Sequence, residues 1–388
     1  MGRKKKGKKK EKREKRNTKK PNREFIPSEV LSRLSLEEIL QLKLVCRQWW
    51  ETISSSYFTI AHFRPSSSLQ QGLSIVFHTY SADDGNVILH YKENKPIELL
   101  KNPFPREFSD ICIVGPLNGL LLLFEWSKLF SPIIVWNPVM KKSKLFKLPR
   151  PMRKEPSLVS IGLAFDFKEY SFCILRVLVH LDKANEFEVK YLNRPFRRKK
   201  MKCNVYFCID RYCCDVIVQG EPYWLGYNLE HYIPDQYDCV VHFIPSKMEF
   251  EVFDLPFVDF DFKKILAVGA SQLWEKLVKV NDTLGFLTWK KNENALQFRS
   301  RINNGWELQD TTQFLGIERI FGCLRNGTIV AGAKVENTKQ LIRIYEENPK
   351  ELFVQGKLIN MFDFLGSLVV TEAMEPVKDQ YDIRDFVV

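Results

Sequence analysis

The chain has 388 residues, 45% hydrophobic and 13% aromatic, enough to bury one large core and a small second unit. No apolar run approaches the ~18 residues that a membrane span requires, and the charged N-terminus has no apolar stretch behind it of the kind a secretory signal carries. The net charge is +12, yet 14 of the 59 Lys and Arg and only 2 of the 47 Asp and Glu lie in residues 1–23; the remainder carries 45 of each sign, which excludes an overall basic bias in the body.

Residues 1–23 have no apolar side chain after Met1 and are expected to be a disordered tail. Lys4, Lys5, Lys6, Lys8, Lys9, Lys10, Lys12 and Arg13 have the density of a nuclear import signal. Non-specific RNA contact through phosphates is the second reading of the tail. The expected location is the nucleus, the cytoplasm or both. Gly2 follows Met1, but Lys6 stands where a myristoylation pattern needs Ser or Thr.

Residues 24–64 form the next unit. Pro27 and Ser28 read as a helix entry, and Val30, Leu31 and Leu34 are the apolar residues of a short first helix. Ser35 and Glu38 fit a reciprocal capping box. Ile39, Leu42, Cys46, Trp49 and Ile53 then recur at steps of three and four, which predicts one face of a second helix. A unit this small is near the lower limit for burying its own core, so its leftover apolar residues are expected to meet a partner or to cap the next domain.

This stretch resembles the plant F-box. The Ile26-Pro27 start and the pattern of Ile39, Leu42, Val45, Cys46 and Trp49 carry the resemblance, and Val-Cys-x-x-Trp is its most specific part. Phe58 and His62 follow where the family often has an aromatic and a histidine. Ser35 replaces the usual proline, and the first helix is roughly one turn shorter than usual. The resemblance implies docking on the Skp adaptor of a cullin–RING ubiquitin ligase. Ile26, Pro27, Val30, Leu31, Leu34, Leu40, Val45, Cys46 and Trp49 would hold the adaptor.

Residues 65–84, with RPSSS at 64–68, read as a linker. From 85 to 375 short strand-like runs alternate with turn signals, as at 87–91, 111–114, 120–124, 133–136, 161–166, 173–180, 240–244 and 284–290. That pattern predicts one β-dominated domain of antiparallel meanders, with Trp136, Trp224 and Trp289 buried in it. Residues 376–388 read as a C-terminal tail. The fold class expected is mainly β, a small all-α unit followed by antiparallel meanders that the pattern alone allows as a sandwich, a barrel or a propeller.

The body resembles a family too. NGLLLL at 118–123, IVWNP at 134–138 and KLFKLP at 144–149 are similar to the opening of the plant F-box-associated domain, a propeller-like region related to kelch repeats. QGEPYWL at 219–225, the segment 240–256 and LGSL at 365–368 resemble its later marks, in the same order. The resemblance implies a β-propeller-like domain.

No phosphate-cradling glycine loop, H-E-x-x-H or G-x-S-x-G is present. The histidines at 62, 78, 90, 180, 231 and 242 are scattered, and catalysis is not expected of them. Cys203, Cys208, Cys213 and Cys214 cluster, but without the paired C-x2-C spacing of a zinc site; no metal or cofactor is expected, and the nine cysteines read as reduced thiols. Arg197, Arg198, Lys199, Lys200 and Lys202 read first as a solvated loop and second as a phosphate-binding patch or the second half of a divided import signal. The two resemblances together imply a non-catalytic receptor subunit that holds the adaptor and cullin ligase through the F-box and an unidentified protein substrate through the β-domain. The rival is a nuclear RNA-associated protein driven by the tail.

Overall fold

The computed structural model describes residues 28–31, 34, 36–55, 58, 73–81, 84–101, 103, 104, 110–128, 130–147, 156–180, 184–193, 199–227, 237–256, 273–290, 293–313, 319–336, 339–345, 349–355, 357–364, 367, 369 and 374–377. The basic tail, Ile26, Pro27 and the Ser35 cap lie outside them.

Three short helices come first: α1 (Ser28–Leu31), α2 (Leu36–Leu42) and α3 (Arg47–Ser54). The continuous helix expected through Ile39 and Ile53 is broken. Residues 43–45 form a turn, and Cys46 is extended at φ −159°. The apolar spacing survives the break because Ile39 and Ile53 still meet, together with Leu31 and Phe58, in a small core. Met140, from the body, packs against that core and fixes the module to it.

The body is a ring of six antiparallel sheets. The first has β1 (Ser74–Ser81), β2 (Gly85–Lys92) and β3 (Glu98–Leu100). The second has β4 (Ile111–Leu117), β5 (Leu120–Glu125), β6 (Ile133–Asn137) and β7 (Lys142–Phe146). The third has β8 (Leu158–Asp166), β9 (Ser171–Val179), β10 (Glu186–Tyr191) and β11 (Lys199–Lys202). The fourth has β12 (Val216–Val218), β13 (Glu221–Gly226), β14 (Cys239–Ile244) and β15 (Glu249–Asp254). The fifth has β16 (Leu273–Val280), β17 (Thr283–Lys290), β18 (Ala295–Ile302) and β19 (Gly305–Gln313). The sixth has β20 (Arg319–Cys323), β21 (Ile329–Glu336), β22 (Lys339–Tyr345) and β23 (Lys350–Gln355).

Closure comes from the C-terminal end. Strand β24 (Lys357–Asp363) pairs with β1, from Ile75 opposite Asp363 to Tyr80 opposite Lys357, and so supplies the innermost strand of the first blade. The chain then runs under the second blade. Ser367 donates its hydroxyl to the Asn118 carbonyl, and the buried Asn137 amide donates to Ser367 O at 3.0 Å and Val369 O at 2.8 Å. Finally β25 (Glu375–Pro376) pairs with β7 as a fifth strand. Gly119, at φ +72°, is required here, because a Cβ would lie 2.7 Å from the Ser367 nitrogen and hydroxyl. Two boundaries expected from composition are therefore displaced. Strand β1 occupies 74–81, inside the stretch read as linker; the polar run continues to Gly72, just before it, and one of its two partners is the distant β24. Pro376 and the buried Val377 belong to the body, since β25 and the bond from Val377 N to Lys141 O hold them there.

Each blade is covered on both faces by its neighbours. The middle strands β5, β6, β9 and β14 are accordingly buried along their whole length. That is why their sequences are mostly apolar, with Arg176 of β9 matched by Glu188 and His242 of β14 by Glu221, whereas the outermost β19 is largely exposed. Trp136, Trp224 and Trp289 are buried as expected, at 1%, 0% and 3% exposure. Trp224 lies over Gly162, where a Cβ would meet its ring at 3.0 Å, and donates Nε1–H to Ser160 Oγ at 2.9 Å.

His90, on β2, is buried, contacts Ser74 Oγ at 2.9 Å and stands edge-on to Phe364 of the closing segment. Burial, helped by nearby Lys92, pushes its pKa down to about 4. The unfolded chain takes up this proton first, so stability is complete above the ordinary histidine range and falls as pH drops from about 6.5 to about 4. The expected loss between pH 8 and pH 5 is about 2 kcal/mol from this residue. Urea midpoints at the two pH values, for wild type and His90→Gln, check it. The variant is expected to lose less, and equal losses would refute the assignment.

Candidate functional site

Two places combine accessibility with unusual chemistry. The first is the helical module. Leu44 and Val45, in the turn between α2 and α3, are 86% and 63% exposed, and Trp50 and Val30 are 55% and 51% exposed. Exposed apolar residues on a module that already has its own core are the features of a surface awaiting a partner. Of the residues the F-box resemblance assigns to adaptor contact, Val30 and Val45 are exposed. Leu34, Leu40, Cys46 and Trp49 are half-buried and Leu31 is buried. Ile26 and Pro27 lie outside the described residues. Leu40 and Trp49 pack against the module core, and Met140 reaches the same core from the second blade. Leu44 and Trp50 were not singled out by sequence. Leu44 lies in the turn at 43–45, and Trp50, one residue beyond Trp49 on α3, is rotated off the face of Trp49 and Ile53.

The second place is the centre of the ring. The innermost strands β24, β4, β8, β12, β16 and β20 enclose a pocket of about 750 Å³, lined by residues from the C-terminal parts of all six. Its rim includes two-residue turns with both residues at positive φ: Asn118 and Gly119, Gln219 and Gly220, Asn281 and Asp282. This conformation matches the twist of tight hairpins. Along the wall lie the ion pairs Lys279–Asp282 at 2.6 Å and Arg325–Asp363 at 2.5 Å. Deeper are Asp215, held by Arg211 at 2.9 Å and by the Leu225 N–H at 2.8 Å, and Lys276. Lys276 Nζ donates to the Phe321 carbonyl at 2.7 Å and to Asn360 Oδ1 at 3.4 Å. Burial pulls its pKa down to about 8, against the opposing charge of Asp215. Burial likewise raises the carboxyl of neighbouring Glu275 to about 7, opposed by Arg211.

The cysteine cluster marks the other end of the pocket axis. Ile161 N–H donates to Tyr212 O at 2.9 Å and Cys214 N–H to Ile161 O at 3.0 Å, so residues 212–214 run parallel to the inner edge of β8. Cys213 Sγ reaches Cys112 Sγ of β4 at 3.2 Å, and Tyr212 lies tilted against Trp126, with ring centroids 4.8 Å apart. Here the cysteines act as small packing residues in the channel. Among the described residues no three His, Cys, Asp or Glu side chains are grouped to hold a metal ion. His180 and His242 pair with Glu186 at 3.2 Å and Glu221 at 2.7 Å, as satisfied strand residues do.

Comparison with known proteins agrees with this architecture. Residues 77–297 match the F-box associated beta propeller domain family. The chain is 28% identical over 158 residues to the Arabidopsis thaliana F-box protein At1g47790, covering 38% of each. It is 24% identical over 223 residues to the F-box protein At3g08750 of the same plant, covering 54% of this chain and 55% of that one. The matches thus span about a third to a half of these relatives' lengths. The crystal structure of TolB from Acinetobacter baumannii is similar at 10% identity and a TM-score of 0.46, covering 79% of this chain and 71% of TolB. A six-bladed ring whose NGLLLL and IVWNP strands are locked by the closing segment, and a family match over more than half the chain, place it: the chain belongs to the F-box associated beta propeller family of plant F-box proteins.

Proposed function

We propose that this protein is the non-catalytic, substrate-recognising subunit of a cullin–RING ubiquitin ligase. The helical module docks on a Skp-type adaptor and the propeller holds the target. The observation that carries this reading is the exposed set of Leu44, Val45, Trp50 and Val30 on a module fixed to the ring by Met140. A second geometric fact supports it. Met140 lies in the turn between β6 and β7, which in an antiparallel meander is at the same end of the blade as the turn between β4 and β5. That end is the rim of the central pocket, so adaptor and target would be held on one face of the ring. Rate gain would come from proximity of target lysines to the charged enzyme.

Affinity purification from the native cell, with and without residues 24–64, tests this. Recovery of adaptor and cullin only with the segment is expected; recovery of neither with the intact chain would overturn it. In the same reading the basic tail sets nuclear location. Deleting residues 2–20 is expected to lower nuclear enrichment of a fluorescent fusion without shifting the melting temperature of the body, and unchanged enrichment would leave the tail as a solvated appendage.

A further inference from the structure

We propose that the central pocket is the target-recognition site and that it takes the free C-terminal carboxylate of an extended peptide, seated on Lys276 and Asn360. This rests on the receptor reading above and names the chemistry of its target.

The charges of the pocket lead to it. Three cations and three carboxylates line it: Lys276, Lys279, Arg325, Asp215, Asp282 and Asp363. Each carboxylate is already matched, Asp282 by Lys279, Asp363 by Arg325 and Asp215 by Arg211 from outside the lining. Among the described residues Lys276 alone of these six has no ion-pair partner; its acceptors are a carbonyl and an amide oxygen. Burying such a cation is costly unless a counter-charge completes it. The ammonium has a third N–H to offer. The Asn360 amide uses its oxygen for Met361 N–H and Lys276, which leaves its NH2 as a second donor. Gly322, at φ +147°, has no side chain beside them; a Cβ there would stand 3.7 Å from Lys276 Nζ. One cation and one amide suit a monoanion. A dianionic phosphate would face the three carboxylates as well.

Depth selects the end of a chain over an internal side chain. Lys276 is five residues before the rim turn that starts at Asn281, so it sits roughly 16 Å below it. A glutamate on a peptide lying across the rim does not reach that far. An extended terminus of about five residues does, and about 750 Å³ accommodates it within the ring. Burial holds Lys276 near pKa 8, with Asp215 and Cys323 favouring its charge and Arg211 and Arg319 opposing it, so the ammonium is present at neutral pH to receive an anion.

The test uses the full-length protein and two pools of fluorescent random hexapeptides, identical except that one ends in a free carboxylate and the other in an amide. Selective retention of the acid pool is expected, weakened at least tenfold by Asn360→Asp, which supplies a carboxylate to Lys276 in place, and by Lys276→Gln. Melting curves on the same samples report whether each variant is folded; if Lys276→Gln is not, the near-isosteric Asn360→Asp decides. Equal retention of the pools, no retention, or retention governed only by internal Asp and Glu overturns the proposal. Adaptor recovery measured in parallel separates the two readings: adaptor bound with no preference for the acid pool removes only the pocket proposal.

Discussion

A chain ending after Gln355 is expected to show no cooperative unfolding transition, whereas one ending after Val377 unfolds like the intact protein. The shorter chain lacks β24 and everything after it. It loses the buried Leu358, Met361, Phe362, Phe364 and Val369. At about 1.5–3 kcal/mol for each fully buried large apolar side chain, these sum to roughly 10 kcal/mol, as large as the whole stability of many domains. The loss is compounded in three places. The edge of β1 opens beside buried Ile75 and Phe77. Arg325 loses Asp363, which accepts from its guanidinium and its backbone N–H. The buried Asn137 amide loses both carbonyl acceptors, and each unsatisfied buried group costs a further ~1–3 kcal/mol. Tryptophan fluorescence during a urea titration checks this, since Trp136 lies in the blade that the closing segment covers. A sharp transition at the wild-type midpoint in the shorter chain would mean that the ring does not depend on its closing strand.

The same contacts explain what sequence reading reached and where it stopped. The middle strands were legible because burial on both faces makes them apolar from end to end, as in LLLLF at 120–124 and IIVW at 133–136. Tryptophans within such runs had nowhere to go but the core. Blade number and closure were not legible, because the decisive pairing joins β1 to a strand some 280 residues later and no local pattern announces it. The SIVFHTYS strand at the start was read as linker for the same reason: its partner on one side is β24. Lys276 was invisible as a site residue. In WEKLVKV it has the same parity as Trp274 and Val278 and fits no clean alternation, and only the closed ring brings that position to the pocket. Ser367 carried a signal in the LGSL match, and its hydroxyl bond beneath Gly119 gives that match a physical reason. The helical module was legible in composition but not in its break, since a turn at 43–45 preserves the three-and-four spacing that a continuous helix would have.

That break decides which substitution separates adaptor binding from folding. Leu44→Asp with Val45→Asp is expected to reduce affinity for a purified Skp-type adaptor by at least about 100-fold, the scale of one or two interface hot spots. Both side chains point away from the module core of Leu31, Ile39, Ile53 and Phe58, so the melting temperature should not change measurably. Trp49→Ala is expected to behave differently. Trp49 is half-buried against that core, so its loss should destabilise the module and lower binding through stability. Trp50→Ala, removing an exposed indole one residue away, should lower binding alone. Isothermal titration of each variant, with a melting curve on the same sample, distinguishes contact from support. If the double aspartate variant binds like wild type, the exposed turn is not the adaptor surface. If wild type shows no binding at micromolar concentration, the four-residue α1 has cost the module its partner, and the ligase assignment falls with it.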